Sequence, residues 1–281
     1  MRLPPFEYVT VSSPGEAISA WAGCAGAIYL AGGTDLLPQM RAGRKAPARV
    51  IGLTRIRELG GIRDLDDGGV AIGAAVPMSQ IEIHGSILAR FPILAECIRT
   101  VGAPPLRNLA TLAGNICNAS PAADTAIALL ALDASVAASG PAGARTIPIG
   151  EFFAGPGRSV LQPGELVTEI TLPGSALGFR GSYLRLSRRQ GMDLATVGVL
   201  VARRTTGGTD RHRVVLAAVA PTPLRVRESE AVLDRAGAGA TGEAAAIARD
   251  ACSPITDIRG SAEYRREMVG VLARRGLAAL Q

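Results

Sequence analysis

Two glycine-bearing segments contain the residue types that could bind an anion. The first, residues 31–37, reads Ala-Gly-Gly-Thr-Asp-Leu-Leu and directly follows an apolar run. The second, residues 111–124, begins Thr-Leu-Ala-Gly-Asn and ends Ala-Ser-Pro-Ala-Ala-Asp. Glycine permits positive φ and close approach, while Thr, Ser and Asn side chains can complete a concavity of backbone N–H groups. We therefore expect these two segments to bind one diphosphate together.

The acidic residues in these segments have different expected roles. Asp35 and Asp124 cannot face phosphate oxygens, because like charges repel in a dry site. We expect Asp35 to accept backbone N–H bonds within its own loop. For Asp124 two interpretations remain open: it accepts a hydrogen bond from a ribityl or ribose hydroxyl, or it caps a helix.

Other kinds of site have little support in the sequence. No Gly-x-Gly-x-x-Gly follows a strand, and no P-loop motif occurs. The four cysteines lack paired spacing and there are only two histidines, so we expect no metal site. We interpret the stretches around His84 and His212 as exposed, and Cys117 as a packing residue. No catalytic nucleophile or general base is therefore expected in this chain.

Composition excludes further classes of function. The net charge is +6, but the arginines are scattered, Lys45 is the only lysine and aromatics make up 4%. These features disfavour nucleic-acid binding. The apolar stretch 126–138 is interrupted by Asp133 and falls short of the roughly 20 residues that a membrane span needs. Residues 1–5 lack a secretory core, so we expect a cytoplasmic location.

Hydrophobic periodicity predicts a mixed chain of strands and helices. Strands are predicted at 27–31, 49–53, 69–73, 165–172, 183–187, 195–203 and 213–220. Helices are predicted at 16–22, 79–84, 92–101, 121–133, 242–251 and 262–280. We expect the first three strands to form one α/β subdomain. Ser120 is the expected N-cap of helix 121–133, Pro104 and Pro105 lie in an expected loop, and 235–246 is an expected loose connection.

The motifs together resemble those of a known family. They comprise Pro-Phe-Glu-Tyr at 5–8, the segments 31–38 and 107–124, Arg188, Arg189 and Asp193, and Ala-Pro-Thr-Pro-Leu-Arg at 220–225. In this order, and over nearly the whole chain, they resemble the FAD-binding subunit of the molybdenum hydroxylases. That family includes the medium subunits of carbon monoxide dehydrogenase and the flavin domain of xanthine dehydrogenase.

The resemblance implies an α+β fold and a set of cofactor contacts. It implies a FAD-binding domain of the vanillyl-alcohol-oxidase type over 1–174, with two α/β subdomains at about 1–55 and 56–174. A small C-terminal domain of sheet and helices, of the CO dehydrogenase flavoprotein type, is implied over 178–281. The implied FAD contacts are Ala31, Gly32, Gly33, Thr34, Asp35, Leu36, Thr111, Gly114, Asn115, Ser120 and Asp124. Leu166 and Arg185 are implied near the adenine or the isoalloxazine, and 188–193 beside that ring.

The same resemblance implies an electron-transfer function. Electrons from [2Fe-2S] clusters of a small partner subunit would pass through FAD to NAD or oxygen, while a large molybdopterin-binding subunit oxidises the substrate. The expected assembly is a dimer of such heterotrimers. Two alternatives remain open from the sequence: a free-standing flavin oxidoreductase, and a flavin-free scaffold protein.

Overall fold

The computed structural model describes residues 2–189 and 191–280, so Met1, Gln281 and Gln190 of the expected ranges lie outside the described residues. The strands are β1 Glu7–Thr10, β2 Ala27–Leu30, β3 Arg49–Gly52, β4 Ile62–Asp64, β5 Val70–Gly73, β6 Ser135–Gly140, β7 Gly143–Pro148, β8 Phe153–Gly155, β9 Arg158–Ser159, β10 Leu166–Leu172, β11 Arg180–Leu186, β12 Val197–Thr206, β13 Thr209–Ala217 and β14 Leu224–Arg225. The helices are α1 Pro14–Ala22, α2 Leu36–Arg41, α3 Met78–Ile81, α4 Gly85–Arg90, α5 Pro92–Arg99, α6 Pro104–Arg107, α7 Leu112–Cys117, α8 Asp124–Ala131, α9 Ile149–Phe152, α10 Arg227–Ala236, α11 Thr241–Asp250 and α12 Ala262–Ala278.

The N-terminal sheet is parallel, in the order β1-β3-β2. Its helix α1 begins where Ser13 accepts a hydrogen bond from the N–H of Glu16 at 3.1 Å. The strand predicted at 69–73 is confirmed as β5. Its predicted membership of this subdomain was wrong, because β5 pairs with β4 and β10 in another sheet. The first glycine segment begins directly after β2. It therefore lies at the carboxyl edge of a parallel sheet, where α/β folds bind ligands.

The second sheet is antiparallel, in the order β4-β5-β10-β6-β7. Helices α5 and α8 fill its core, and all eight residues of α8 are buried. The expected loop at Pro104 and Pro105 was wrong, because α6 forms there with Pro104 in its first turn. Burying α8 on every side explains why its sequence is apolar all round rather than amphipathic.

The predicted start of helix 121–133 was also wrong. The helix begins at Asp124, and Ser120 instead accepts a hydrogen bond from the N–H of Ala122 at 3.3 Å. Long-range contacts hold this turn: Gly157 donates to the carbonyl of Ala119, and Ala218 donates to that of Pro121. Tertiary structure thus overrides a local capping pattern, since these bonds fix the backbone ahead of the helix.

The third sheet, β11-β12-β13-β14, is covered by α10, α11 and α12. The expected loose connection at 235–246 was wrong, because the end of α10, a 3₁₀ turn at Gly237–Ala240 and the start of α11 occupy it. His212 was expected to be exposed but is buried. Its ring Nδ1 lies 3.0 Å from Asp234, a residue of α10, which packs over β13.

An ionic group around one buried arginine links this sheet to the second glycine segment. We name Asp257, Arg259 and Arg265 the arginine hub. Arg265 is 1% exposed, donates to the carbonyls of Thr196 and Ala218 at 3.1 and 3.0 Å, and pairs with Asp257. Arg259 pairs with the same carboxylate at 2.7 Å. The hub therefore holds the backbone on which the turn at residues 119–122 rests.

Candidate functional site

Both glycine segments line one cavity of about 460 Å³. Twelve of the thirteen residues predicted to contact a cofactor lie in its wall: Ala31, Gly32, Gly33, Thr34, Asp35, Leu36, Thr111, Gly114, Asn115, Ser120, Asp124 and Leu166. Arg185 does not line the cavity and lies behind Asp124. The volume is in the range of ligand-binding clefts. Segments separated by some eighty residues therefore meet, as the sequence predicts.

Glycine is required where the first segment lies against residues 109 and 110, directly before the second segment. A Cβ on Gly32 would lie 1.9 Å from the carbonyl oxygen of Leu109, so only glycine permits this approach. Gly33 has φ +71°, a left-handed conformation that side chains disfavour. Across the cavity, the Gln39 amide on α2 donates to Asn118 after α7 at 3.5 Å. These contacts fix the first segment against the second.

The first segment presents backbone donors to the cavity. The N–H groups of residues 32–36 find no acceptor among the described residues. Lys45 is the only basic side chain in the described lining, whereas four carboxylates line it: Asp35, Glu165, Asp124 and Asp193. An anion at this edge would therefore be held by peptide N–H groups rather than by side-chain cations.

The first half of the second segment forms the short helix α7. Thr111 caps α7 by accepting a hydrogen bond from the N–H of Gly114 at 3.0 Å. Thr125 donates to the side-chain oxygen of Asn115 at 2.6 Å, which leaves the Asn115 amide NH₂ available to the cavity. Ala113 lies within the helix at negative φ, so its methyl group is accommodated.

Asp35 does not brace its loop as expected. It occupies the residue before α2, but its side chain accepts no capping hydrogen bond. The concave wall withdraws part of the water around this carboxylate and raises its pKa, an effect that nearby Lys45 opposes.

Asp124 is buried at the opposite wall, with 7% exposure. The hydroxyl of Tyr183 donates to its Oδ1, and Arg185 Nε lies 3.4 Å from the same oxygen. Burial raises the pKa of Asp124, and burial beside this carboxylate raises the pKa of Tyr183. The helix-cap interpretation was wrong, because Ala123 holds the cap position. Hydrogen bonding to a ribityl or ribose hydroxyl stays a prediction.

The segment before β12 brings one carboxylate to the cavity. Asp193 and Leu194 line the wall, whereas Arg188 and Arg189 do not. Hydrogen bonding from the Arg188 guanidinium, at 2.9 Å, lowers the pKa of Asp193 to about 2. This carboxylate is therefore ionised and paired on its solvent side.

Several cavity residues were not predicted from sequence. The polar ones are Gln39, Lys45 and Asn118, and apolar ones include Ile28, Tyr29, Leu53, Val101 and Leu106. The single lysine was the only signal available for Lys45. Cys117, interpreted as a packing residue, instead has an exposed side chain on the cavity wall. An apolar wall opposite peptide donors suits a ligand with one flat, apolar end and one charged portion.

Two other features bear on the kind of protein. Within residues 2–189 and 191–280, no helix combines the length and apolarity needed to cross a bilayer. The same residues contain no group of three or more side chains arranged to hold a metal ion.

Family models match both parts of the chain. The model described as the FAD binding domain in molybdopterin dehydrogenase matches residues 4–175. The model described as the CO dehydrogenase flavoprotein C-terminal domain matches residues 182–280. The two matches together span nearly the full length.

Individual relatives are similar over almost all of their length. The chain is 38% identical to the carbon monoxide dehydrogenase medium chain of Hydrogenophaga pseudoflava, over 98% of this chain and 97% of the relative. It is 30% identical to the xanthine dehydrogenase FAD-binding subunit of Escherichia coli O157:H7, over 95% and 93%. The solved carbon monoxide dehydrogenase from Hydrogenophaga pseudoflava that lacks the Mo-pyranopterin moiety superposes with a TM-score of 0.94 at 36% identity, covering 100% of this chain and 98% of that chain.

Proposed function

Because this chain belongs to the FAD-binding medium subunits of the molybdenum hydroxylase family, we propose that it carries electrons between a partner subunit and a terminal acceptor. The cofactor is FAD. The electrons come from [2Fe-2S] clusters of a small subunit, and a large molybdopterin-binding subunit oxidises the substrate. The acceptor is NAD or oxygen, and the working assembly is a dimer of heterotrimers.

One observation carries this proposal: both glycine segments line a single cavity whose N–H groups at 32–36 lack protein acceptors. A diphosphate needs several such donors, and only glycine at position 32 lets this backbone lie against the carbonyl of Leu109. The residues therefore fit FAD by the chemistry of their donors and by the space left for it. When bound, FAD supplies the redox chemistry, accepting electrons singly and releasing them as a pair.

In this proposal the protein's own residues bind FAD and fix its orientation. The N–H groups of 32–36 hold the diphosphate, and the Asn115 amide adds a donor from the second segment. Asp124 accepts from a cofactor hydroxyl, and the apolar wall around Leu166 excludes water from the ring system. No side chain acts as general acid or base.

Substituting Gly33 with Val tests the FAD site. A β-branched side chain is strained at φ +71°, and its Cβ would approach Leu30 and Leu37 at 3.0 and 3.2 Å. We expect Gly33→Val to abolish FAD retention, measured as flavin absorbance per purified chain. The matched control is Gly43→Val, which has φ +70° but meets nothing within 4 Å of its Cβ and lies outside the cavity. A Gly33→Val protein that is fully yellow contradicts the site.

Co-purification separates the proposed function from its two alternatives. The chain expressed with its untagged neighbours should retain a large and a small subunit, identified by mass. The isolated chain should show only acceptor-side or dye activity. Substrate turnover by the isolated chain indicates a free-standing oxidoreductase, whereas protein that stays colourless after FAD addition indicates a flavin-free scaffold.

A further inference from the structure

The carboxylate of Asp124 is held by a strand from a different sheet. Tyr183 and Arg185 are two apart on β11, so both project from the same face of that strand. The Tyr183 hydroxyl donates to Asp124 Oδ1, and Arg185 Nε lies 3.4 Å from it. Asp124 belongs to α8 of the N-terminal part and lines the cavity. A residue pair outside the cavity lining therefore sets the position of a carboxylate within it.

The surroundings of Tyr183 leave its hydroxyl little freedom. The side chain is 8% exposed, and the backbone N–H donates to Glu96 on α5 at 2.9 Å. On the neighbouring strand, a Cβ at Gly198 would lie 2.7 Å from the Tyr183 hydroxyl. The lack of a side chain at Gly198 therefore leaves space for the Tyr183 hydroxyl. This packing is independent evidence for the position of the hydroxyl, besides the hydrogen bond.

The hydrogen bond has a consequence for ligand binding. A buried carboxylate without a partner is costly, and it would rotate toward whichever donor is available. Tyr183 and Arg185 both contact Oδ1, and the Thr100 side chain also hydrogen-bonds to this carboxylate. An ionised carboxylate has about four lone-pair sites, so capacity remains for a ligand. Tyr183 therefore orients Asp124 as an acceptor before any ligand arrives.

We propose that Tyr183 is a positioning residue for FAD binding: its hydroxyl orients Asp124 toward a cofactor hydroxyl, so the C-terminal sheet completes the cofactor site. This inference rests on the proposed function, because it assigns Asp124 to the bound FAD. Arg185 supports the same carboxylate by charge and also donates to the Asp193 carbonyl, so the pair spans two parts of the cavity wall.

The test is FAD binding by the full chain carrying Tyr183→Phe, which removes one oxygen atom and keeps the ring. FAD is removed from each purified protein and then titrated back. We expect the dissociation constant to rise about tenfold, as the loss of an orienting hydrogen bond to a charged group predicts. The melting temperature of the apo-protein should fall, because the buried Asp124 loses a hydrogen bond, so FAD is titrated at a temperature at which both apo-proteins are fully folded. The visible circular dichroism of bound flavin should change. The control is Tyr264→Phe, the same change on an exposed tyrosine of α12.

A double-mutant cycle identifies the group through which Tyr183 acts. If it acts through Asp124, then Tyr183→Phe together with Asp124→Asn should bind FAD no more weakly than Asp124→Asn alone. Additive losses overturn the inference, as does a Tyr183→Phe protein indistinguishable from Tyr264→Phe while the wild type binds FAD. A wild-type chain that does not bind FAD overturns the proposed function as well.

Discussion

The cavity and the arginine hub differ in whether their polar groups find partners within the protein. In the cavity, the N–H groups of residues 32–36 have no acceptor among the described residues. In the hub, the Arg265 guanidinium donates to three carbonyls and one carboxylate. Buried polar groups are normally satisfied, so donors left open mark a place that a ligand completes. Satisfied ones mark a place that the fold itself needs.

The pKa values of two cavity carboxylates, Asp35 and Asp124, shift in the opposite direction from that of Asp257 in the hub. The pKa values of Asp35 and Asp124, on the cavity wall, are raised because water is withdrawn from them. The pKa of Asp257 in the hub is lowered, first by hydrogen bonds from Arg259 and further by Arg265. Asp35 and Asp124 therefore respond to pH in the opposite direction from Asp257, whereas arginines lower the pKa values of the other two wall carboxylates, Glu165 and Asp193.

Breaking the hub should have the largest effect on stability. Arg265→Met leaves Asp257 and the carbonyls of Thr196 and Ala218 without their buried donor. Asp257 keeps its pair with Arg259, but leaving two buried carbonyls without a donor costs about 1–3 kcal/mol each, so we expect the free energy of unfolding to fall by about 2–6 kcal/mol. Urea denaturation of the apo-protein measures it. The control Arg274→Met, on the exposed side of α12, should change it by less than about 0.5 kcal/mol.

The pH dependence of the hub sharpens the comparison. Asp257→Asn should lower the free energy of unfolding by about 1.5–3 kcal/mol near neutral pH, because a charged acceptor is lost. Since folding lowers the pKa of Asp257, its stabilisation is present above the ordinary carboxyl value and is lost as pH falls through the lowered value. The difference from wild type should therefore shrink below about pH 4. A difference independent of pH would show that the charge is irrelevant.

Replacing Asp35 on the cavity wall should change the free energy of unfolding least, and its pH dependence should be opposite to that of Asp257. Folding raises the pKa of Asp35, so its contribution to stability is fully present below the ordinary carboxyl value and is lost as pH rises through the raised one. Near neutral pH, Asp35→Asn should leave the apo-protein as stable as wild type or more stable by at most about 0.5 kcal/mol. Urea denaturation at several pH values measures this. A clear loss of stability would mean that Asp35 supports its loop after all.

Local patterns predicted much of the fold. Apolar runs identified strands β2, β3, β5, β10, β11, β12 and β13, and the helix predicted at 16–22 is α1, which begins two residues earlier. The pattern failed at Ser120 and Pro121, which look like a helix start. The carbonyls of Ala119 and Pro121 are bonded to Gly157 and Ala218, and no local rule contains those partners. Likewise β5 was found as a strand, but its sheet depends on pairing with β10, nearly a hundred residues away.

The sequence alone determined where an anion could bind, because glycine's lack of a side chain and the order of small polar residues act within a few positions. The resemblance of these motifs to a known family then implied thirteen cofactor contacts, twelve of which lie in the cavity wall. Only the tertiary structure decided what surrounds Asp124, since its partner Tyr183 lies 59 positions along the chain on another sheet. The same holds for the arginine hub, because the partners of a buried charge are chosen by packing rather than by neighbours in sequence.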